Sequence, residues 1–362
     1  MAKKLRKNVG VWPGKKIEPG ERADVRLTVS KSYGGTTIKV PVHVWRGEEP
    51  GPSVFITAAV HGDEINGTGV VRHLIQEPPF RLKAGSLVLV PVVNILGFEQ
   101  LSRYSPDRRD LNRSFPGLKH GSLTSRLAHV IFQNIVSRCD YGIDLHTAAV
   151  RRTNYPNARA DMEKEATARL ATLFGAELLL NNPGPDGSLR RAAANVGCAT
   201  MILEAGEVWK VEPSVVEYVL RGIRNVLVGL KMIDGEITKP AFRVVAEETK
   251  WIRAEKGGFL QFHVGPGETV SKDQPIATNT SLSGKHLNTL CAPRDAIILG
   301  MTTLPAVSPG DPVAHLAFPS DSAFRKMERV LGKLPEESLL SRLQDDLATN
   351  VMVSDLDDPE GG

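Results

Sequence analysis

A histidine and an acid stand three residues apart in His61-Gly62-Asp63-Glu64. One helical turn carries positions i and i+3 to the same side, so the imidazole and the carboxylate can point together. Two such groups make up two of the three protein ligands of a catalytic His₂Glu zinc, which keeps a fourth position for water. Alone, H-x-x-E is a common pattern, and a strand-end turn with an ordinary capping acid accounts for it equally well. Further candidates lie downstream. His146 closes Asp144-Leu145-His146, and Glu204 closes the apolar run 199–204. The polar loop 101–118 carries Arg103, Arg108, Arg109 and Arg113 beside Asp107 and Asp110. His146 can supply a third ligand, although singly it reads as a satisfied histidine at a strand end. Asp144 shares its face on an extended strand and can accept the free ring N–H of a ligating histidine. Glu204 beside a metal can take a proton from bound water and return it to a leaving nitrogen; without a metal it is a solvated edge residue. A guanidinium can grip a carboxylate in two places or polarise a carbonyl. Arg108 and Arg109 are expected only to pair with Asp107 and Asp110.

The elements that would hold these groups alternate in type. The run 53–60 is apolar and β-branched, as a buried strand is, and ends at His61. Helical spacing follows over 65–76, stopped by Pro78-Pro79. The continuous apolar run 86–93 suits a strand covered on both faces. An amphipathic helix is expected over 122–138 with Ser122 as its cap, then a strand over 141–146. Helices are expected over 162–174, 186–195 and 212–233, with a strand over 199–204 between the last two. Upstream, 25–29 and 37–45 read as an edge hairpin around Tyr33-Gly34-Gly35. This is the pattern of an open α/β sheet, whose ligands sit outside the carboxyl ends of its strands. After Pro240 short strands alternate with Gly/Pro turns, and 263–277 resembles 306–317, which suggests a small all-β domain of two similar halves. The expected division is 1–240, 241–319 and a helical and acidic end over 320–362.

The chain has 362 residues, 41% apolar and 24% charged, with a net charge of +4. These values suit a soluble protein of about two domains. The charge is too mild to argue for nucleic acid, and the basic start 1–7 reads as a solvated tail. No apolar run approaches membrane-spanning length, and no signal-peptide core follows the start. Three scattered cysteines fit a reducing cytoplasm and leave metal binding to His and carboxylate.

In this order, His61-Gly62-Asp63-Glu64, Asp110-Leu111-Asn112-Arg113-Ser-Phe-Pro-Gly117, Asp144-Leu145-His146-Thr147 and Leu203-Glu204-Ala-Gly206 resemble the succinylglutamate desuccinylase/aspartoacylase family of zinc carboxypeptidase-like proteins. The resemblance implies a three-layer α/β/α domain with a mixed sheet, followed by a small all-β, barrel-sandwich-like domain. It implies one Zn²⁺ per chain on His61, Glu64 and His146, with Glu204 as general base. Asn112 and Arg113 would hold the substrate carboxylate, Arg103 would polarise the scissile carbonyl, and Asp144 would support His61. A further family arginine corresponds to Arg190 or Arg191, and Arg152 follows the His146 strand closely enough to reach substrate. The implied activity is deacylation of an N-acetyl or N-succinyl amino acid by zinc-bound water. The expected partner is a small N-acyl amino acid, with no nucleic acid and no membrane; a homo-oligomer is compatible with it. A metallocarboxypeptidase acting on a peptide C-terminus, or a non-catalytic binding protein, are the alternatives. In the aspartoacylase branch a tyrosine of the second domain reaches the site, whereas this chain has none after Tyr218.

Overall fold

The computed structural model describes residues 9–32, 34–349 and 351. The basic start, Tyr33 of the expected turn and the acidic tail after 351 lie outside the described residues. β1 (Arg22–Lys31) and β2 (Thr37–Arg46) form the expected edge hairpin. Then come β3 (Glu49–Ala58), β4 (Ala84–Val90), β5 (Tyr141–His146), β6 (Arg152–Ala160), β7 (Leu178–Asn181) and β8 (Ala199–Glu207). Between and after them lie α1 (Asn66–Gln76), α2 (Leu123–Asn134), α3 (Glu165–Phe174), α4 (Leu189–Asn195) and α5 (Pro213–Gly229). β4, β3, β5 and β8 pair in parallel in that order. β2 and β6 join antiparallel on either side, which makes the sheet mixed.

The pleat sorts the side chains between two cores. Val54, Ile56, Leu87 and Leu89 pack with α1, α3 and α5 on one face. Phe55, Val88 and Val90 pack with α2 and α4 on the other. Burial on both faces is why these strands read as continuous apolar runs. Several helix boundaries lie inside the expected ones, two of them for plain local reasons. α4 starts at Leu189, where the Ser188 hydroxyl accepts from Arg191 N at 3.3 Å. α2 stops at Asn134, and a 3₁₀ turn over Val136–Arg138 follows. β6 and β7 carry no plain strand signal. β6 reads Arg-Thr-Asn-Tyr-Pro-Asn-Ala-Arg-Ala, yet it is nearly all buried, with Arg152, Asn154 and Arg159 lining a cavity.

The second half contributes β9 (Val244–Ala246), β10 (Glu248–Arg253), β11 (Gly258–Phe262), β12 (Pro275–Thr280), β13 (His286–Cys291), β14 (Ala296–Thr302) and β15 (Pro312–Phe318). β11, β12 and β13 form a separate antiparallel sheet. β10, β15 and β14 instead extend the large sheet, with β14 on β6. The all-β half therefore shares a ladder with the first. Its two similar passages turn at matching glycines, Gly267 at φ 89° and Gly310 at φ 88°, in the left-handed region that favours glycine. α6 (Asp321–Leu331) and α7 (Leu339–Ala348) close the described chain. Leu343 and Leu347 of α7 bury into the core of the first half. Among the described residues no helix is long and apolar enough to cross a membrane.

Candidate active site

The parallel register brings the chemistry to one edge. Thr57 of β3 lies opposite Asp144 of β5, and His146 lies opposite Glu204 of β8. Past the end of β3 the chain turns sharply. Ala59 holds φ 49°, a left-handed conformation that costs on the order of 1–2 kcal/mol for a residue with a Cβ. Glu64 N then donates to His61 O at 3.2 Å. Gly62 packs so closely on the Gly97–Phe98 backbone that a Cβ would collide. His61 and Glu64 are thereby folded back over His146.

These three side chains are buried, and their candidate ligand atoms all lie within 4.8 Å of one another. His61 Nδ1 faces Glu64 Oε1 at 2.7 Å, and His146 Nδ1 faces Glu64 Oε2 at 2.9 Å. Both Nε2 atoms are held from behind, by Asp110 Oδ1 at 3.2 Å for His61 and by Asp144 Oδ2 at 2.8 Å for His146. Asp144 thus supports His146, not His61 as the family resemblance implied; the two share one strand, two residues apart. Thr57 Oγ1 donates to the other Asp144 oxygen at 2.7 Å. Two imidazoles, each oriented by a carboxylate, and a third buried carboxylate form the donor set that suits a divalent metal such as zinc. Burial alone would raise the Glu64 carboxyl, but the two imidazoles hold it well below the usual range. Burial would lower His146, yet Asp144 and Glu64 raise it well above an ordinary histidine.

A cavity of about 310 Å³ opens beside the cluster. All four expected arginines, Arg103, Arg113, Arg152 and Arg190, line it together with Asn112 and Glu204. Arg103 donates to Glu64 Oε1 at 3.0 Å and to Asp110 Oδ2 at 3.3 Å. Asp110 is thus taken up by His61 and Arg103, while Asp107 accepts from Thr124 N at 3.1 Å. The expected loop pairs of Arg108 and Arg109 with these two acids do not form among the described residues. Asn112 Oδ1 accepts from Leu189 N at 3.0 Å, which ties the arginine loop to the start of α4. Arg190 is buried and donates to Asn182 Oδ1 at 3.1 Å, while its Nε and Nη1 have no hydrogen-bond partner among the described residues. Burial and the neighbouring Arg159 push its guanidinium down to about 10.

Several cavity residues escaped the sequence reading. Asn154 Nδ2 donates to Glu204 Oε2 at 3.2 Å, and Arg159 Nη1 stands 3.7 Å from Glu204 Oε1. Trp251 of β10 and His315 of β15 also line the cavity. They are paired residues on neighbouring strands and stack 4.6 Å apart, 5° from parallel. The Arg152 guanidinium covers the Trp251 ring at 4.8 Å. The far wall that lacks a tyrosine is thus built from a tryptophan and a histidine. No spacing could announce them, since only the β10–β15 ladder brings them to the site.

The catalytic-domain model of the succinylglutamate desuccinylase/aspartoacylase family matches residues 50–230, half of the chain. The N-alpha-acetyl-L-2,4-diaminobutyric acid deacetylase of Halomonas elongata is 27% identical over 300 residues, which covers 79% of this chain and 87% of that protein. The crystal structure of a succinylglutamate desuccinylase/aspartoacylase from Rhodobacter sphaeroides is 25% identical, with a TM-score of 0.70 over 82% of this chain and 96% of that one. The product-bound ectoine utilization protein EutE (DoeB) of Ruegeria pomeroyi shares the fold, with a TM-score of 0.74 at 22% identity over 86% of this chain and 99% of that one. The order of the motifs, the mixed sheet and the family match agree: this chain belongs to the succinylglutamate desuccinylase/aspartoacylase family.

Proposed function

We propose that this chain is a zinc-dependent amidohydrolase that removes the acyl group from an N-acyl amino acid. The observation that carries this reading is the register of β5 and β8, which sets Glu204 beside the buried His61, Glu64 and His146 cluster in one cavity. His61 Nδ1, His146 Nδ1 and Glu64 would hold the metal. When bound, zinc supplies a Lewis acid and lowers the pKa of water to about 7. Asp110 and Asp144 keep each imidazole oriented by accepting its Nε2–H. Asn154 and Arg159 hold the Glu204 carboxylate in place. Glu204 takes the proton of the attacking water as the oxygen bonds the carbonyl carbon. It returns that proton to the nitrogen as the C–N bond breaks, which releases a carboxylic acid and an amine; the acid's remaining proton then passes to the amine, leaving carboxylate and ammonium. Arg103 donates toward the developing oxyanion. Asn112, Arg113 and Arg190 hold the amino-acid carboxylate, the orientation that makes the attack effectively intramolecular.

The cavity volume is at the small end for ligand sites, which favours an acyl amino acid over a peptide tail. In this reading 1–240 is the hydrolase unit, and 241–319 contributes one wall of its pocket. The Halomonas relative, named as a deacetylase of an N-acetyl amino acid, supports the same reaction class. The test is amine release by zinc-loaded protein across N-acetyl and N-succinyl amino acids and short peptides, with Glu204→Gln in parallel. The variant is expected to keep its zinc and lose about 10²–10⁴-fold in kcat. A Glu204→Gln protein with a near-normal rate would sink the mechanism, and cleavage of peptides alone would favour the carboxypeptidase reading.

A further inference from the structure

The segment 208–212, which links β8 to α5, lies outside the cavity but is bonded to two of the loops that serve it. Trp209 N donates to Asp63 O at 3.0 Å, inside the turn from His61 to Glu64. The Trp209 indole Nε1 donates to Leu101 O at 3.1 Å, at the start of the loop that carries Arg103. An indole has one donor and no acceptor, so this bond uses its whole polar capacity. One residue thus ties the turn of the candidate metal ligands to the arginine loop. Both partners hold a left-handed backbone, Trp209 at φ 60° and Leu101 at φ 47°, which residues with a Cβ seldom adopt. Such strain persists where the surroundings over-determine it, and it gathers at sites whose geometry matters. Core packing does not account for either residue, since Trp209 is 51% exposed and Leu101 55%. Beyond Leu101, Ser102 N donates to Gly97 O at 2.9 Å, so the chain is pinned on both sides just before Arg103. From there the guanidinium reaches Glu64 and Asp110.

We propose that Trp209 is a positioning residue: its indole N–H fixes the Leu101 carbonyl and thereby sets where the Arg103 guanidinium stands beside the metal cluster. This role rests on the amidohydrolase reading above, in which Arg103 meets the developing oxyanion. An interaction made mainly in the transition state shows in kcat rather than in KM. A catalytic group displaced by about 1 Å costs up to about 10²-fold. The indole bond is one of several that hold this loop, so its loss is expected to cost less than that.

The experiment uses the zinc-loaded full chain and whichever of N-acetyl-L-alanine, N-acetyl-L-glutamate, N-succinyl-L-alanine and N-acetyl-L-2,4-diaminobutyrate it hydrolyses fastest. Trp209→Phe keeps an aromatic ring and loses the N–H. Its kcat is expected to fall about tenfold, with KM within about twofold and zinc content unchanged. Trp209→Gln carries an amide N–H the same number of bonds from Cα and is expected to recover part of the loss. The deciding readout is a double-mutant cycle with Arg103→Met. If Trp209 acts through Arg103, Trp209→Phe costs less than about twofold once that guanidinium is gone. A merely structural tryptophan lowers activity by the same factor in both backgrounds. Equal factors, or a Trp209→Phe protein with normal kcat, overturn the proposal. If the wild type hydrolyses none of the four compounds, the amidohydrolase reading fails by itself, and hydrogen exchange then decides the placement. The Leu101 and Ser102 amides are bonded to Phe98 O and Gly97 O. Faster exchange at both in Trp209→Phe, with α1 unchanged, supports the tie, and unchanged exchange overturns it.

Discussion

The two sides of the cavity are built in different ways. On one side, His61, Glu64, His146 and Glu204 stand at the ends of parallel strands, each within a few residues of a buried apolar run. On the other, Arg152, Arg159, Trp251 and His315 come from β6, β10 and β15, strands with polar or mixed sequences. The first side is rigid because its strands are buried on both faces. Each of its side chains is also gripped by a second, as Asp144 is by Thr57 and His146 by Asp144. Register irregularities lie in the second side, between Ile298 and Gly300 and between Ile252 and Arg253, and at the seam of the two sides, between Glu204 and Gly206. Such irregularities bend a strand and re-aim its side chains. In the proposed reading the reacting groups sit at the parallel strand ends, and Trp251 and His315 close the pocket from the other side.

Breaking each side should therefore give distinct losses. The largest effect belongs to His146→Ala. It removes one of the three proposed metal ligands and should take both bound zinc and turnover to background, measured as metal content after dialysis and as amine release. Retained zinc with lost activity would place His146 in a different role. An intermediate effect is expected of Arg113→Lys, since a point charge cannot replace a two-pronged grip. KM should rise about tenfold with zinc content unchanged, and an unchanged KM would argue against the carboxylate role.

An effect of another kind belongs to the wall and appears in stability. His315 is pushed from 6.5 down to about 3 in the folded protein. The unfolded state then takes up the proton first, so the stability this group gives is present above pH 6.5 and is lost as pH falls toward 3. The loss runs to about 1.4 kcal/mol per pH unit in that window. Urea midpoints of wild type and His315→Gln should converge as pH drops from 7 to 4.5. Parallel curves would mean that His315 is not held neutral by its surroundings.

Much of the rigid edge could be read directly. An apolar β-branched run, a glycine turn and an acid at i+3 are local signals, and so is the serine cap that starts α2. One histidine has a local supporting acid and the other a distant one. Asp144 pairs with His146, two residues along one strand, whereas His61 draws on Asp110, forty-nine positions away. Asp107 and Asp110 looked alike in sequence, yet one binds Thr124 in the first turn of α2 and the other His61 and Arg103. β6 was hidden because its inward side chains are polar, which inverts the alternation that marks a strand with a dry face.

What the amino-acid order determined alone was the set of reacting groups and the strand ends that carry them, because helical and extended periods fix which neighbours share a face. Which imidazole each carboxylate orients, and which wall Trp251 and His315 complete, was decided only by tertiary structure. Register between distant strands is chosen by the packing of both faces of the sheet, and no local period encodes it.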